Sequence, residues 1–292
     1  MKVVKLKGGL GNQLFQYSFA LLLSTLTSEE VRLDYSAYED NSGDTVRVPR
    51  LTQFNISVNA CTKEEIRKIT IFPHNMKYGT LIYKVFVYLE SKFNSKYFLS
   101  PREYIDPNQI IKYSYFDGYW QNIDYLLPIQ NRLFEDLIPK NELSDATNAT
   151  ISMIDKQNSV FIGVRRGDYT LEKGHYGEFR SDYYLRAMEY ISHRIKNPVF
   201  YIFSNDIEWC KMNLEWGEYQ VNYREPNQQT SDFEELMIMA SCKHAIIINS
   251  TYHWWGAFLI RNQNKIVCCP EKWFFDNAKI NIYPSDWIKM PV

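Results

Sequence analysis

The sequence predicts an α/β protein built on parallel sheets, and three observations carry that prediction. Short apolar, β-branched runs alternate with helical segments through the second half of the chain. The chain opens on a strand, a glycine-rich turn and a helix, in that order. Several strands also stop abruptly at polar clusters, the sharpest being VFIGVRRGD at 160–168.

The elements follow from pattern. Residues 3–6 read as a short buried strand. Gly8, Gly9 and Gly11 make a tight turn, 12–26 a helix and 31–34 a second strand. Residues 61–104 interleave lysines such as Lys68, Lys84 and Lys92 with aromatics such as Phe72, Tyr83 and Tyr88. That mixture fits an amphipathic helix leaning on a membrane surface or a bulky acceptor. It equally fits a lysine-edged helix packed on a core, the commoner arrangement. Residues 141–158 are polar, low in aromatics and in part helical, and read as a linker. The chain therefore divides into halves at 1–150 and 151–292. Beyond the linker, strands at 160–164, 199–203, 245–248 and 266–269 alternate with helices at 182–194, 233–242 and 254–261. That alternation is the mark of a parallel, Rossmann-like sheet.

Composition narrows the class. A chain of 292 residues holds one large or two ordinary domains. A formal net charge of −1 argues against bulk nucleic-acid binding, which needs a basic footprint. Aromatic residues at 16% favour contact with a sugar, a base or a membrane surface. Cys61, Cys210, Cys242, Cys268 and Cys269 are odd in number and form no C-x-x-C, which argues against a disulfide framework and for a reducing, cytoplasmic setting. No signal-peptide core opens the chain, and no long apolar run suggests a membrane span. Peripheral contact through 61–104 stays open.

The chemistry sits at strand ends. In an open parallel sheet, ligands bind outside the carboxyl ends of the strands. Arg165 and Arg166 lie there, and a guanidinium presents a rigid fork of donors matched to phosphate oxygens. GGLGNQ at 8–13 lets backbone N–H groups approach an anion at a helix N-terminus. It lacks the third glycine of a dinucleotide fingerprint, having Leu14 there, and it lacks the lysine of a P-loop. Asn12 either caps that helix or, with Gln13, presents amides to a ligand. Ser204, Asn205 and Asp206 end another strand. Asp206 is placed to cap the next helix or to accept from a ribose hydroxyl or a base N–H. Asn249, Ser250 and Thr251 follow the most hydrophobic strand and form a second potential anion site, with Trp254 and Trp255 as core. The five histidines are isolated and no metal-ligand spacing occurs, so a metal-independent site with arginine neutralising a phosphate is the simpler reading.

The segments GGLGNQLFQY, YWQN, VRRGDY, FSND and EELMIMASCKHAIIINSTYHWWGAFL occur in that order. Together they resemble the α-1,2-fucosyltransferases of glycosyltransferase family 11. The likeness covers nearly the whole chain, least clearly 41–104. It implies a GT-B-like fold, two Rossmann-like halves facing a central cleft, with GDP-fucose on the carboxyl half and much of the acceptor site on the amino half. It implies transfer of L-fucose to the 2-hydroxyl of a terminal galactoside, with inversion and no obligate metal or cofactor. Arg165 matches the arginine aimed at the donor diphosphate, and Ser250 and Thr251 the hydroxyl pair near the phosphates. Asp206 and Glu235 fall in segments tied to the nucleoside, and Gly11 and Asn12 in the loop facing the sugar–phosphate junction. Gly9, Arg166, Ser204 and Asn249 complete the implied donor set. One departure stands out. The family pattern H-x-R-R-x-D has Gly163 in place of its histidine, whose contact must come from elsewhere, such as His175 or a water.

The implied catalysis is electrostatic: Arg165, Ser250, Thr251 and loop amides stabilise the charge that grows on leaving GDP. Asp168 orients the arginines or serves as base, and Asn12 or the phosphate itself handles the proton. The natural setting implied is O-antigen-like polysaccharide synthesis on a lipid-linked glycan. Rival readings are a transferase with another GDP-sugar or linkage, a non-catalytic nucleotide-sugar-binding protein and a membrane-surface scaffold.

Overall fold

The computed structural model describes residues 1–39, 48–72, 80–166, 177, 179–225, 231–275 and 280–292. Asp168 and His175 lie outside the described residues. The chain forms two compact units: Met1–Asn141 with Ile280–Ile282, and Glu142–Lys279 with Tyr283–Val292.

The first unit carries a four-stranded sheet ordered β2-β1-β4-β3. Its strands are β1 Lys2–Lys5, β2 Val31–Asp34, β3 Tyr97–Leu99 and β4 Tyr115–Asp117. All the pairings are parallel. Helix α1, Leu10–Leu26, follows β1 directly and buries nearly every side chain to Leu23. A helix buried on nearly every side lies inside a layered core, and its buried Gln13, Gln16 and Ser18 make hydrogen bonds there. Two short helices, α2 Lys63–Ile69 and α3 Leu81–Phe93, precede β3.

The second unit carries a six-stranded sheet ordered β10-β9-β8-β5-β6-β7, again parallel throughout. Its strands are β5 Asn158–Val164, β6 Pro198–Ser204, β7 Val221–Tyr223, β8 His244–Ile246, β9 Val267–Pro270 and β10 Ile288–Met290. Three of them, β5 at the centre with β8 and β6 on either side, have polar residues just beyond their carboxyl ends. The buried Val160, Ile162, Ile202 and Ile246 make the apolar face, against which Tyr183, Tyr184, Met188 and Ile191 pack. After α4 Pro107–Ile110 and α5 Gln130–Asp136 in the first unit, the helices here are α6 Asp145–Asp155, α7 Ser181–Ser192, α8 Ile207–Asn213, α9 Asp232–Ala240 and α10 Thr251–Leu259. Trp254 and Trp255 on α10 are fully buried, and Trp254 stacks on Phe258 at 4.9 Å between ring centroids.

The α/β class is as expected, with several departures in detail. The polar stretch read as a linker contains α6, whose cap Ser144 accepts from the Thr147 N–H and whose Thr147 and Ile154 are buried. A helix needs only a narrow buried stripe, so its polar outer face reads as a loop. The units accordingly meet at 141/142 rather than at 150/151. The 61–104 segment is two helices and a strand, and α3 buries only Tyr83 and Glu90. The core-packed reading therefore fails for most of α3: Leu81 is 77% exposed and Phe93 72%. The three-residue strands β3, β4, β7 and β10 were not anticipated, the run at 266–269 having been read as the final strand, and all four are too short for periodicity to register. Among the described residues, no helix is long and apolar enough to cross a membrane. All five cysteines are free.

Candidate functional site

The sheet order of the second unit reverses at β5. From β5 the chain proceeds outward through β6 and β7, and from β8 outward the other way through β9 and β10. β5 and β8 are nonetheless hydrogen-bonded neighbours, with Val160, Phe161 and Ile162 opposite His244, Ala245 and Ile246. Their carboxyl ends are thus a topological switch point, where connections diverge and leave a crevice. Arg165 and Arg166 leave β5 there, and Asn249, Ser250 and Thr251 follow β8.

Each side chain is held differently. The Arg166 guanidinium lies over the Trp209 ring at 3.8 Å from its centroid, and its backbone N–H donates to Asn205 Oδ1 at 2.8 Å. Stacking on an aromatic face fixes the plane of its donor fork. Arg165 is half-buried beside it. Ser250 is the N-cap of α10, yet its side chain makes no capping bond, and no acidic residue occupies the first turn. The partial positive charge of that helix end is therefore not offset from within the helix. Asn249 is anchored by donating to the Trp273 carbonyl at 2.9 Å. Guanidinium, hydroxyl and helix terminus thus follow two neighbouring strands, and each is a group type that suits an anion.

The residues assigned to the nucleoside side have local partners. Asp206 accepts from the Trp209 N–H at 3.1 Å, and Ser204 Oγ from the Asp206 N–H at 3.0 Å. Asp206 is thus the cap of α8. Glu235 pairs with Arg224 at 3.0 Å, and burial pushes its carboxyl up despite the opposing arginine.

The first unit has its own switch point, between β1 and β4. Gly8 there has φ +81, a backbone conformation that favours glycine, and a Cβ on it would lie 2.6 Å from Asn12 Nδ2. Helix α1 starts at Leu10 with Gly9 at its cap, so Asn12 lies inside the helix and does not cap it. Asn12 Oδ1 instead accepts from Gln121 at 2.9 Å. Gln13 is fully buried and braces the loop, donating to the Val48 carbonyl and accepting from the Arg50 N–H. It is not available to a ligand, contrary to the sequence reading.

Sequence reasoning missed the charged groups at this switch point. Lys7 forms a buried ion pair with Asp117 and lies 4.8 Å from the Tyr119 ring centroid. Burial pushes the Asp117 carboxyl up, but Lys7 and Lys5 outweigh it and hold it well below the usual carboxylate range. Trp120 beside them has φ 56, uncommon outside glycine, and stacks on Phe19 at 3.6 Å. His253 was also missed. Burial and the charge of Arg165 push it down to about 3, so it is neutral at physiological pH. Its signal was slight: an isolated histidine two residues after Thr251.

The chain matches the glycosyl transferase family 11 profile over residues 1–290. It belongs to that family. It is 32% identical to the O-antigen biosynthesis glycosyltransferase WbnK of Escherichia coli, across 98% of this chain and 99% of that protein. It is 31% identical to an Escherichia coli α-1,2-colitosyltransferase, across 99% and 98% respectively. To human galactoside α-(1,2)-fucosyltransferase 1 it is 33% identical over 34% of this chain and 28% of that protein. The family 11 chain is thus a glycosyltransferase with two α/β units, each built on a parallel sheet.

Proposed function

We propose that this family 11 enzyme transfers L-fucose, with inversion, from GDP-fucose to the 2-hydroxyl of a terminal galactoside in surface-polysaccharide synthesis. The observation that carries the reading is that Arg165 and Arg166 follow β5 while Ser250 and Thr251, starting a helix with no side-chain cap, follow its neighbour β8. Near-full-length relatives named for O-antigen synthesis and α-1,2-colitosyl transfer support it.

In this reading the second unit takes the donor and the first the acceptor. The acceptor oxygen attacks the anomeric carbon from the face opposite GDP. The anomeric carbon–oxygen bond breaks, its electron pair stays on the diphosphate, and the proton of the acceptor hydroxyl passes to a phosphate oxygen of the departing GDP. Arg165, Ser250, Thr251 and the α10 amides stabilise the growing phosphate charge. Arg166, Asn249, Ser204, Asp206 and Glu235 hold the rest of the donor, and Gly9, Gly11 and Asn12 serve the sugar–phosphate junction. Guanidinium and helix charge supply the positive potential a leaving diphosphate needs, so the proposal includes no metal.

The exposed face of α3 supports a peripheral role at an anionic lipid surface. Leu81, Ile82, Val85, Tyr88 and Phe93 are exposed beside Lys84 and Lys92, and the one acidic residue of the helix, Glu90, is buried. Apolar insertion flanked by lysine is the chemistry of an interfacial helix. A cytoplasmic enzyme acting on a lipid-linked glycan would use such a face.

The colitosyltransferase relative favours a second reading, in which the donor is GDP-colitose. The deciding experiment measures GDP release from GDP-fucose and from GDP-colitose, with and without lactose, and the product linkage by NMR. Acceptor-dependent GDP-fucose turnover with a new α-1,2 linkage is expected. Preference for GDP-colitose would select the second reading. Binding without turnover across a galactoside panel would leave a non-catalytic nucleotide-sugar-binding protein.

A further inference from the structure

Gly163 lies inside β5, opposite Phe203 of β6, two residues before Arg165. Its backbone does not require glycine, since it is absent from the residues with positive φ. What requires glycine is a neighbour. A Cβ at position 163 would lie 2.5 Å from both Cγ and Nδ1 of His253 and 2.9 Å from its Cδ2. Such distances are not compatible with a side chain there while the imidazole stays in place.

His253 belongs to the first turn of α10, directly after the hydroxyl-bearing cap. It is 4% exposed, and its Nδ1 is buried without a hydrogen-bond partner. A buried orphan nitrogen is costly and rare unless the site uses it. The ring is therefore wedged between the strand that ends in the arginines and the helix that begins at Ser250 and Thr251.

We propose that His253 is the positioning imidazole of the donor site, delivered from α10 into the space above Gly163, and that positions 163 and 253 form a reciprocal pair in which only one can carry the ring. The part of this proposal that concerns the donor rests on the GDP-sugar reading; the pairing does not. The ring sets the spacing between Arg165 on one side and Ser250 with Thr251 on the other. Those groups must reach the same diphosphate, so a change in spacing is felt in catalysis. The histidine missing from the H-x-R-R-x-D pattern is thereby replaced from a different element, and neither His175 nor a water is needed to explain it.

The test uses the full chain in four forms: wild type, Gly163→His, His253→Ala and the double variant. Tm and the kinetics with GDP-fucose are read for each. His253→Ala should leave a folded enzyme with kcat/KM lowered about 10- to 100-fold, the scale of a displaced catalytic group. Gly163→His alone should be destabilised, because two rings cannot share the space. Adding His253→Ala to it should raise Tm and return kcat/KM to within about tenfold of wild type. If Gly163→His alone does not fold, Gly163→Ala serves in its place: it should lower Tm in the wild-type background and be tolerated beside His253→Ala. Additive effects in either background would overturn the pairing. Unchanged donor kinetics in His253→Ala would overturn the positioning role. A wild-type protein that ignores GDP-fucose would defeat the fucosyl reading, while the Tm cycle would still decide the pairing.

Discussion

Replacing Arg165 by alanine isolates the electrostatic contribution at the β5/β8 switch point. Arg165 is half-buried and follows the last residue of β5, so its loss removes a charge without emptying the core. Arg166 cannot take over freely, because its guanidinium is stacked on Trp209 and its backbone is tied to Asn205. The magnitude follows from charge and distance. A unit charge at ~4 Å from a phosphate charge, at an effective dielectric of ~20, is worth about 4 kcal/mol. Measured losses for single oxyanion-stabilising donors are similar, about 2.7–4 kcal/mol. At about 1.36 kcal/mol per decade, Arg165→Ala should lower kcat with GDP-fucose by roughly 10²–10³. Tm should move little, as expected for a side chain outside the packed interior. Arg165→Lys should recover only part of the loss, since lysine keeps the charge but not the two-pronged fork. The assay is acceptor-dependent GDP release at saturating donor, with thermal melts as the control for folding. An Arg165→Ala enzyme within threefold of wild type in kcat, melting normally, would refute the reasoning.

Three further outcomes follow from the same structure. Asp117→Asn removes the partner of buried Lys7 and an acceptor of the Tyr97 hydroxyl, so it should destabilise the first unit by about 3–5 kcal/mol in urea unfolding. Adding Lys7→Met should recover part of that loss, because the uncompensated charge goes with it; equal or greater instability would contradict the explanation. His253 has its proton affinity depressed to about 3 from an ordinary 6.5, so the unfolded chain binds the proton that the folded chain refuses. Its contribution to stability is therefore present above pH 6.5 and is lost as pH falls toward 3, at about 1.4 kcal/mol per unit. Wild type should lose Tm more steeply than His253→Phe between about pH 7 and 5, and parallel curves would count against it. Finally, Leu81→Asp with Ile82→Asp should abolish co-sedimentation with anionic vesicles and leave turnover of soluble lactose unchanged. Wild-type protein that fails to bind such vesicles would remove the membrane role of α3.

Long, strongly patterned elements were legible in the chain itself. The run into Val164 reads as a buried strand, and 12–26 reads as a helix. The strand ends carrying Arg165, Asp206 and Ser250 were readable for the same reason: polarity changes abruptly where a strand leaves the core. The elements that escaped notice are short, the three-residue strands and the helices α4 and α5, where too few residues face inward to set a period.

What the sequence determined by itself was local: the α/β class, the strand ends with their chemistry, and the ordered motifs that mark family 11. Those are properties of neighbouring residues, fixed by side-chain type and period. Only the tertiary structure decided which strand ends are neighbours, because the order β10-β9-β8-β5-β6-β7 is set by packing and not by chain order. It alone decided that Gln13 braces a loop and that Lys7 faces Asp117 across 110 residues of chain, whereas the Asp206 cap was already readable locally. It alone also placed the His253 ring against Gly163. Gly163 and His253 are far apart in sequence, and the rule linking them is that two side chains cannot occupy one volume.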